Sequence, residues 1–255
     1  MTVQNILDYL FTLAPVSYQE SWDNVGFLVG RKDAPVTRIL VALDAAAAVA
    51  EEAAALGCEL VVTHHPLIFR PAKHITDADP MTGGLLSYLE KGLAVISMHT
   101  NLDCAPGGVN DVLAERLGLH NVETLQDGET AGLLRAGDAA PMELPAFAAF
   151  VKERLACPGL RYVSGGKPVR RVAVGGGGCA GYMCAALEAG CDTFVTADVK
   201  YHEFQEAQTR GLNLIDAGHF ETENPVCAVL RDRLAAAFPE IEILLSAHTD
   251  CIRFL

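Results

Sequence analysis

Two short apolar runs, residues 39–43 and 60–63, flank an Ala-rich stretch at 45–56 that closes on Gly57, and this alternation constrains the fold most. The aliphatic and β-branched runs predict strands, the Ala-rich stretch predicts a helix, and the three together predict a βαβ unit. The second strand runs straight into His64 and His65. Two imidazoles are thereby expected at a strand's carboxyl end, where open α/β sheets build their sites.

A second unit of the same kind follows. Residues 169–174 read as a strand, 175–178 are all glycine, 182–189 read as a helix capped by Gly190, and 193–196 read as a strand. Aligning Gly57-Cys58-Glu59-Leu60-Val61-Val62-Thr63 with Gly190-Cys191-Asp192-Thr193-Phe194-Val195-Thr196 sets His64 and His65 opposite Ala197 and Asp198. The match continues in Gly92-Leu93-Ala94-Val95-Ile96 against Gly211-Leu212-Asn213-Leu214-Ile215, with a shorter connection in the second copy, a change that loops tolerate. An internal duplication follows, so the expected fold is α/β, two related α/β halves with a site in the cleft between them. Residues 127–145 are rich in Gly, Ala and Pro, and 146–155 read as an amphipathic helix. The first half is therefore set at residues 1–128 and the second at 129–255, with the C-terminal strand a candidate to return to the first half.

At 255 residues and 51% hydrophobic, the chain can bury a core for one large or two modest domains. Its net charge of -13 argues against broad attraction to phosphate backbones or anionic membranes, so neither nucleic acid nor membrane is an expected partner. No apolar run approaches the roughly 20 residues needed to span a bilayer. The first 15 residues lack the basic and uninterrupted apolar segments of a signal peptide, and the eight cysteines contain no C-x-x-C pair. The thiols are read as reduced in a cytoplasmic protein, with Cys58, Cys191 and Cys227 serving as small buried hydrophobes.

Three strand tips collect the chemistry-bearing residues: Thr63-His64-His65-Pro66, His99-Thr100-Asn101-Leu102-Asp103 and Gly218-His219-Phe220-Glu221-Thr222-Glu223. Adjacent histidines on a tight turn can face different ions, whereas His219 and Glu223, four apart at a helix start, share one face. That pattern suits two ions bridged by a carboxylate. Mixed imidazole and carboxylate donors fit Zn²⁺, Mn²⁺, Fe²⁺, Co²⁺ or Ni²⁺ better than Mg²⁺ or Ca²⁺. His74, His120 and His248 read as ordinary core or surface side chains.

Further candidates surround these tips. Gly176 and Gly177 follow a strand and precede a helix, so their amides are candidates to cradle a phosphate, although the Walker lysine is absent and a tight turn is the plainer reading. Asp198, Lys200, Tyr201 and His202 occupy the second copy's counterpart of the His-His tip, as substrate contacts or proton carriers. His99 is a second proton-carrier candidate, or a residue that orients a ligand. Asp23 and Asn24, beside the single tryptophan, form either a structural turn or a rim of the site.

The segments Ser21-Trp22-Asp23-Asn24-Val25-Gly26, Thr63-His64-His65-Pro66-Leu67, His99-Thr100-Asn101-Leu102-Asp103, and Gly218-His219 with Glu223-Asn224-Pro225 resemble the family described as GTP cyclohydrolase 1 type 2 homologues, dinuclear-metal-centre, NIF-three-like hexameric proteins. The resemblance spans nearly the whole chain. It implies that His64, His65, Asp103, His219 and Glu223 ligate two divalent ions per subunit, with Glu223 a bridge, and that six subunits form a toroid. It also implies hydrolysis of the GTP imidazole ring with release of formate. Cys251, where proline is expected, is one departure. Two other readings stay open: a dinuclear phosphoesterase acting on a small-molecule substrate, and a metal-handling or regulatory ring without turnover.

Overall fold

The computed structural model describes residues 1–125 and 132–255, with backbone alone at residues 80 and 81. The chain divides into two compact units, Met1–Ala105 with Val226–Thr249, and Pro106–Pro225 with Asp250–Leu255. The boundary expected at residues 128 and 129 lies outside the described residues.

The first unit opens with α1 (Val3–Leu13), which Thr2 caps: its hydroxyl accepts from the Asn5 amide at 3.4 Å while the Asn5 side chain accepts from the Thr2 amide at 2.9 Å. Val3, Ile6, Leu7 and Leu10 recur at helical spacing and are buried. Then follow β1 (Gly26–Val29), β2 (Arg38–Ala42), α2 (Ala47–Ala55), β3 (Leu60–Thr63), α3 (Pro80–Glu90), β4 (Ala94–Ser97) and the short α4 (Thr100–Cys104).

The second unit contains α5 (Val109–Arg116), β5 (His120–Leu125), β6 (Leu134–Met142), α6 (Leu144–Arg154), β7 (Arg161–Val163), β8 (Val169–Val174), α7 (Met183–Glu188), β9 (Thr193–Thr196), α8 (Tyr201–Arg210), β10 (Asn213–Asp216) and α9 (His219–Glu223). Its strands lie in the order β5-β6-β8-β9-β10-β7. Within the Gly-, Ala- and Pro-rich stretch, residues 134–142 form β6, which pairs antiparallel with both β5 and β8. Its unusual composition has a local cause: a Cβ at Gly137 would stand 2.9 Å from the His120 carbonyl on the neighbouring strand. The core gathers Val172, Val174, Val195 and Ile215 from the sheet with Leu144, Phe147 and Val151 of α6 and Leu113 of α5.

The chain then returns to the first unit through α10 (Pro225–Ala237) and β11 (Glu242–Leu245), completing a sheet of order β1-β4-β3-β2-β11. Strands β11, β2, β3 and β4 run parallel, and β1 closes one edge antiparallel to β4. β3 and β4 are buried along their whole length, which explains why they read as continuous apolar runs with no alternation. Beneath them Leu40, Val61 and Val95 pack with Val49, Ala50, Ala53 and the fully buried Tyr88, whose hydroxyl reaches the Ala46 carbonyl at 3.2 Å. Among the described residues, no helix is long and apolar enough to cross a membrane.

The repeat seen in the sequence is a repeat of elements. The series α1-β1-β2-α2-β3-α3-β4-α4 has the same order as α6-β7-β8-α7-β9-α8-β10-α9, and in each sheet three parallel strands carry an antiparallel strand beside the third. Each series ends in a five-residue helix directly after its last parallel strand, α4 carrying Asp103 and α9 carrying His219 and Glu223.

Candidate metal centre

In the first unit, three imidazoles meet at the carboxyl ends of β3 and β4. One ring nitrogen from each of His64, His65 and His99 lies within 4.8 Å of the others. Nδ1 of every ring is engaged. His64 Nδ1 lies 2.8 Å from the Met98 carbonyl, His65 Nδ1 lies 2.7 Å from Asp44 Oδ1, and His99 Nδ1 lies 2.7 Å from Asp23 Oδ1. A carbonyl or an ionised carboxylate only accepts, so each Nδ1 carries the proton. In a neutral ring, Nε2 then presents its lone pair, the form that binds a metal.

Strand register supplies these acceptors. Thr63 pairs with Ser97, so the next residues along, His64 and Met98, stand side by side. Ala42 pairs with Thr63, so two residues further Asp44 stands beside His65. Gly26 pairs with Ser97 in the antiparallel direction, which brings the chain just before β1, with Asp23, back toward His99. Each acceptor therefore arrives from the neighbouring strand, held by the backbone ladder.

Asp23 also anchors the start of α4. Its second oxygen accepts from the Thr100 amide at 3.0 Å and the Thr100 hydroxyl at 2.5 Å. Burial alone would raise its pKa, but the hydrogen bonds from His99, Thr100 and the Asn24 amide pull the carboxyl down, to about 2. Asp103, on α4, is buried with Oδ1 3.6 Å from His64 Nε2. That separation exceeds a hydrogen bond, yet two donors at about 2.1 Å from one tetrahedral ion stand about 3.4 Å apart. The donor chemistry and spacing fit a divalent ion.

In the second unit, His219 repeats the pattern. Its Nδ1 lies 2.7 Å from Asp198 Oδ2 and its Nε2 lies 3.1 Å from Glu223 Oε2. With Nδ1–H donated to Asp198, a second proton or a cation is needed to keep Nε2 beside the buried Glu223 carboxylate. Asp198 holds a left-handed backbone, φ 54°, to reach this position. Thr196 pairs with Asp216, so register again brings acceptor and imidazole onto neighbouring strand ends.

The glycine run passes directly beneath these ligands. A Cβ on Gly177 would lie 2.2 Å from Glu223 Oε1 and 3.0 Å from His219 Nε2, so only glycine leaves room there. The Gly176 amide donates to Asn110 Oδ1 at 2.7 Å and the Gly177 amide to Thr222 Oγ1 at 3.0 Å. Those two donors serve the protein's own acceptors, not a phosphate cradle.

The remaining expected residues are spread more widely. His202 and Tyr201 are exposed on α8, and Lys200 lies 3.8 Å from Glu203 in the first turn of that helix. Asp44, Met98 and Asp23 supply the acceptors for the imidazoles and were passed over or left undecided in the sequence reading. The signal that would have found them is the register of adjacent strands. His248, read as an ordinary side chain, has Nε2 3.9 Å from Asp44 Oδ2.

A family model described as Duf34/NIF3 (NGG1p interacting factor 3) matches residues 1–251. A Clostridium perfringens protein named GTP cyclohydrolase 1 type 2 homologue is 31% identical over 252 residues, 96% of each chain. A Streptomyces coelicolor protein of the same name is 37% identical over 236 residues, 88% of this chain and 82% of that one. The crystal structure of a Staphylococcus aureus hypothetical protein is 29% identical and superposes with a TM-score of 0.93, covering 100% of this chain and 99% of the other.

Proposed function

The chain belongs to the Duf34/NIF3 family, and from that premise we propose that it binds two divalent metal ions and uses them in hydrolysis. In this reading His64, His65, Asp103, His219 and Glu223 would hold the ions. The observation that carries the proposal is the shared state of the imidazoles: His64, His65 and His219 each spend Nδ1 on a carbonyl or carboxylate, which supports Nε2 as the ligating atom. Divalent ions held there would supply Lewis acidity and lower the pKa of a water toward neutrality. The protein's own part is to fix the ring tautomers from the strand ends, to hold the Asp103 and Glu223 carboxyl groups in buried positions, and to move protons through His99 or His202.

The substrate suggested by the relatives' name is GTP, with ring hydrolysis releasing formate. The phosphoesterase alternative loses one support, since the Gly176 and Gly177 amides already have acceptors. A homohexamer, a cytoplasmic location, and substrate contacts at Asp198, Lys200 and Tyr201 belong to the same proposal. The test is elemental analysis together with formate release from GTP, using a His64→Ala/Glu223→Ala double variant as control. The expected result is about two ions per chain and formate lost in the variant. Metal without formate would remove GTP as substrate, and a protein that takes up no metal would overturn the proposal.

A further inference from the structure

Beside the imidazoles of the first unit lies an aromatic corner that metal binding does not use. Trp22 is 57% exposed and Phe69 39% exposed, costly positions for the chain's single tryptophan and a phenylalanine. Their ring centroids are 5.8 Å apart at 67°, and both rings meet His99 edge-on, at 6.1 Å and 6.0 Å. His99 in turn lies 5.2 Å from the His64 ring and 5.8 Å from the His65 ring. The corner is thus joined to the candidate ligands through a single imidazole.

The backbone carrying these rings is tied down. The Glu20 amide donates to the Thr100 hydroxyl at 2.9 Å, the Asp23 amide to the Glu20 carbonyl at 3.0 Å, and the Asn24 side chain to the Ile68 carbonyl at 2.6 Å. The last bond links the segment bearing Trp22 to the segment bearing Phe69. The two aromatic surfaces are therefore held in place while left open to solvent, the arrangement of a preorganised binding surface. With Nδ1–H given to Asp23, His99 also offers an acceptor at Nε2.

We propose that Trp22 and Phe69 form the walls of a subsite that stacks a planar heteroaromatic ring of the substrate, with His99 accepting an N–H from the edge of that ring. The proposal deepens the hydrolase reading by assigning the ring-binding residues, and it rests on that reading for the chemistry next to the ring. Recognition is by ring face and edge, not by phosphate, which agrees with the net charge of -13.

Because Trp22 is the only tryptophan, its fluorescence reports on the corner directly. Guanosine, adenosine and ribose 5-phosphate are titrated into the full-length protein, metal-loaded and metal-depleted, with metal content measured on the same samples. The proposal expects saturable quenching by at least one nucleoside and none by ribose 5-phosphate. It expects Phe69→Ala to weaken that nucleoside about tenfold or more and Phe69→Tyr to retain it. By calorimetry, Trp22→Phe keeps most of the affinity and Trp22→Ala loses it. Protein that holds metal but shows no saturable quenching overturns the subsite and leaves the metal reading intact, whereas quenching without metal uptake does the reverse. A change of oligomeric state in Trp22→Ala or Phe69→Ala, with nucleoside affinity unchanged, assigns the corner to subunit contact and also overturns it.

Discussion

His64 Nδ1 stands 2.8 Å from the carbonyl oxygen of Met98, one residue beyond the β3–β4 pair Thr63 and Ser97. Because a backbone carbonyl cannot donate, this contact fixes the proton on Nδ1, and no side-chain substitution at Met98 removes the acceptor. His65 and His219 depend instead on the carboxylates of Asp44 and Asp198. The three imidazoles are thus held by supports of different vulnerability, and that difference is measurable.

Asp44→Ala removes the acceptor that orients His65. The expected effect is a loss of about 10–100-fold in metal affinity with the fold retained, measured by titration calorimetry with Zn²⁺. Asp44→Asn keeps a carbonyl oxygen able to accept from Nδ1–H and is expected to lose far less. Equal losses in the two variants would mean that charge, not ring orientation, is what Asp44 supplies.

Gly177→Ala drives a methyl group into Glu223 Oε1 and strains a residue at φ +62°. The backbone alone costs about 1–2 kcal/mol. A fall in Tm of about 2–4 °C per kcal/mol is expected, together with loss of bound metal as Glu223 is pushed aside. Unchanged Tm and metal content would contradict the close approach.

The Asp23 carboxyl titrates at about 2 in the folded protein against an ordinary value of 3.8. A lowered folded value contributes stability above the unfolded value and loses it as pH falls through the folded one, so the effect disappears between about pH 4 and pH 2. The full contribution is of the order of 2 kcal/mol. Thermal melts across this range should show the wild type losing more stability than Asp23→Asn. Parallel acid profiles would contradict the assignment.

His202→Ala should leave metal content unchanged and stability within about 0.5 kcal/mol, because the residue is exposed on α8. Elemental analysis and thermal melts check both. A drop in bound metal would give His202 a role among the ligands.

Much of this organisation was legible in the sequence because it rests on short-range pattern. Buried parallel strands require continuous apolar runs, so β3, β4, β9 and β10 announced themselves, and strand ends located His64, His65, Asp103, His219 and Glu223. What stayed hidden depends on pairing between distant segments. Nothing local to Asp44 or Asp23 marks them as acceptors; their roles appear only once β2 is set beside β3 and β1 beside β4. The glycine run stayed ambiguous for a related reason. A phosphate cradle and a gap left for Glu223 place the same demand on the backbone, and only the distance from Gly177 to Glu223 separates them. Strand β6 escaped because the glycine that lets His120 approach also breaks the β-pattern.

The most direct test of the metal centre is an anomalous-difference map from crystals grown with Zn²⁺. The account predicts two strong peaks per chain at about 2.0–2.2 Å from Nε2 of His64, His65 and His219 and from the carboxylate oxygens of Asp103 and Glu223. Peaks confined to other residues such as His74 or His120, or no peaks in metal-replete crystals, would contradict it.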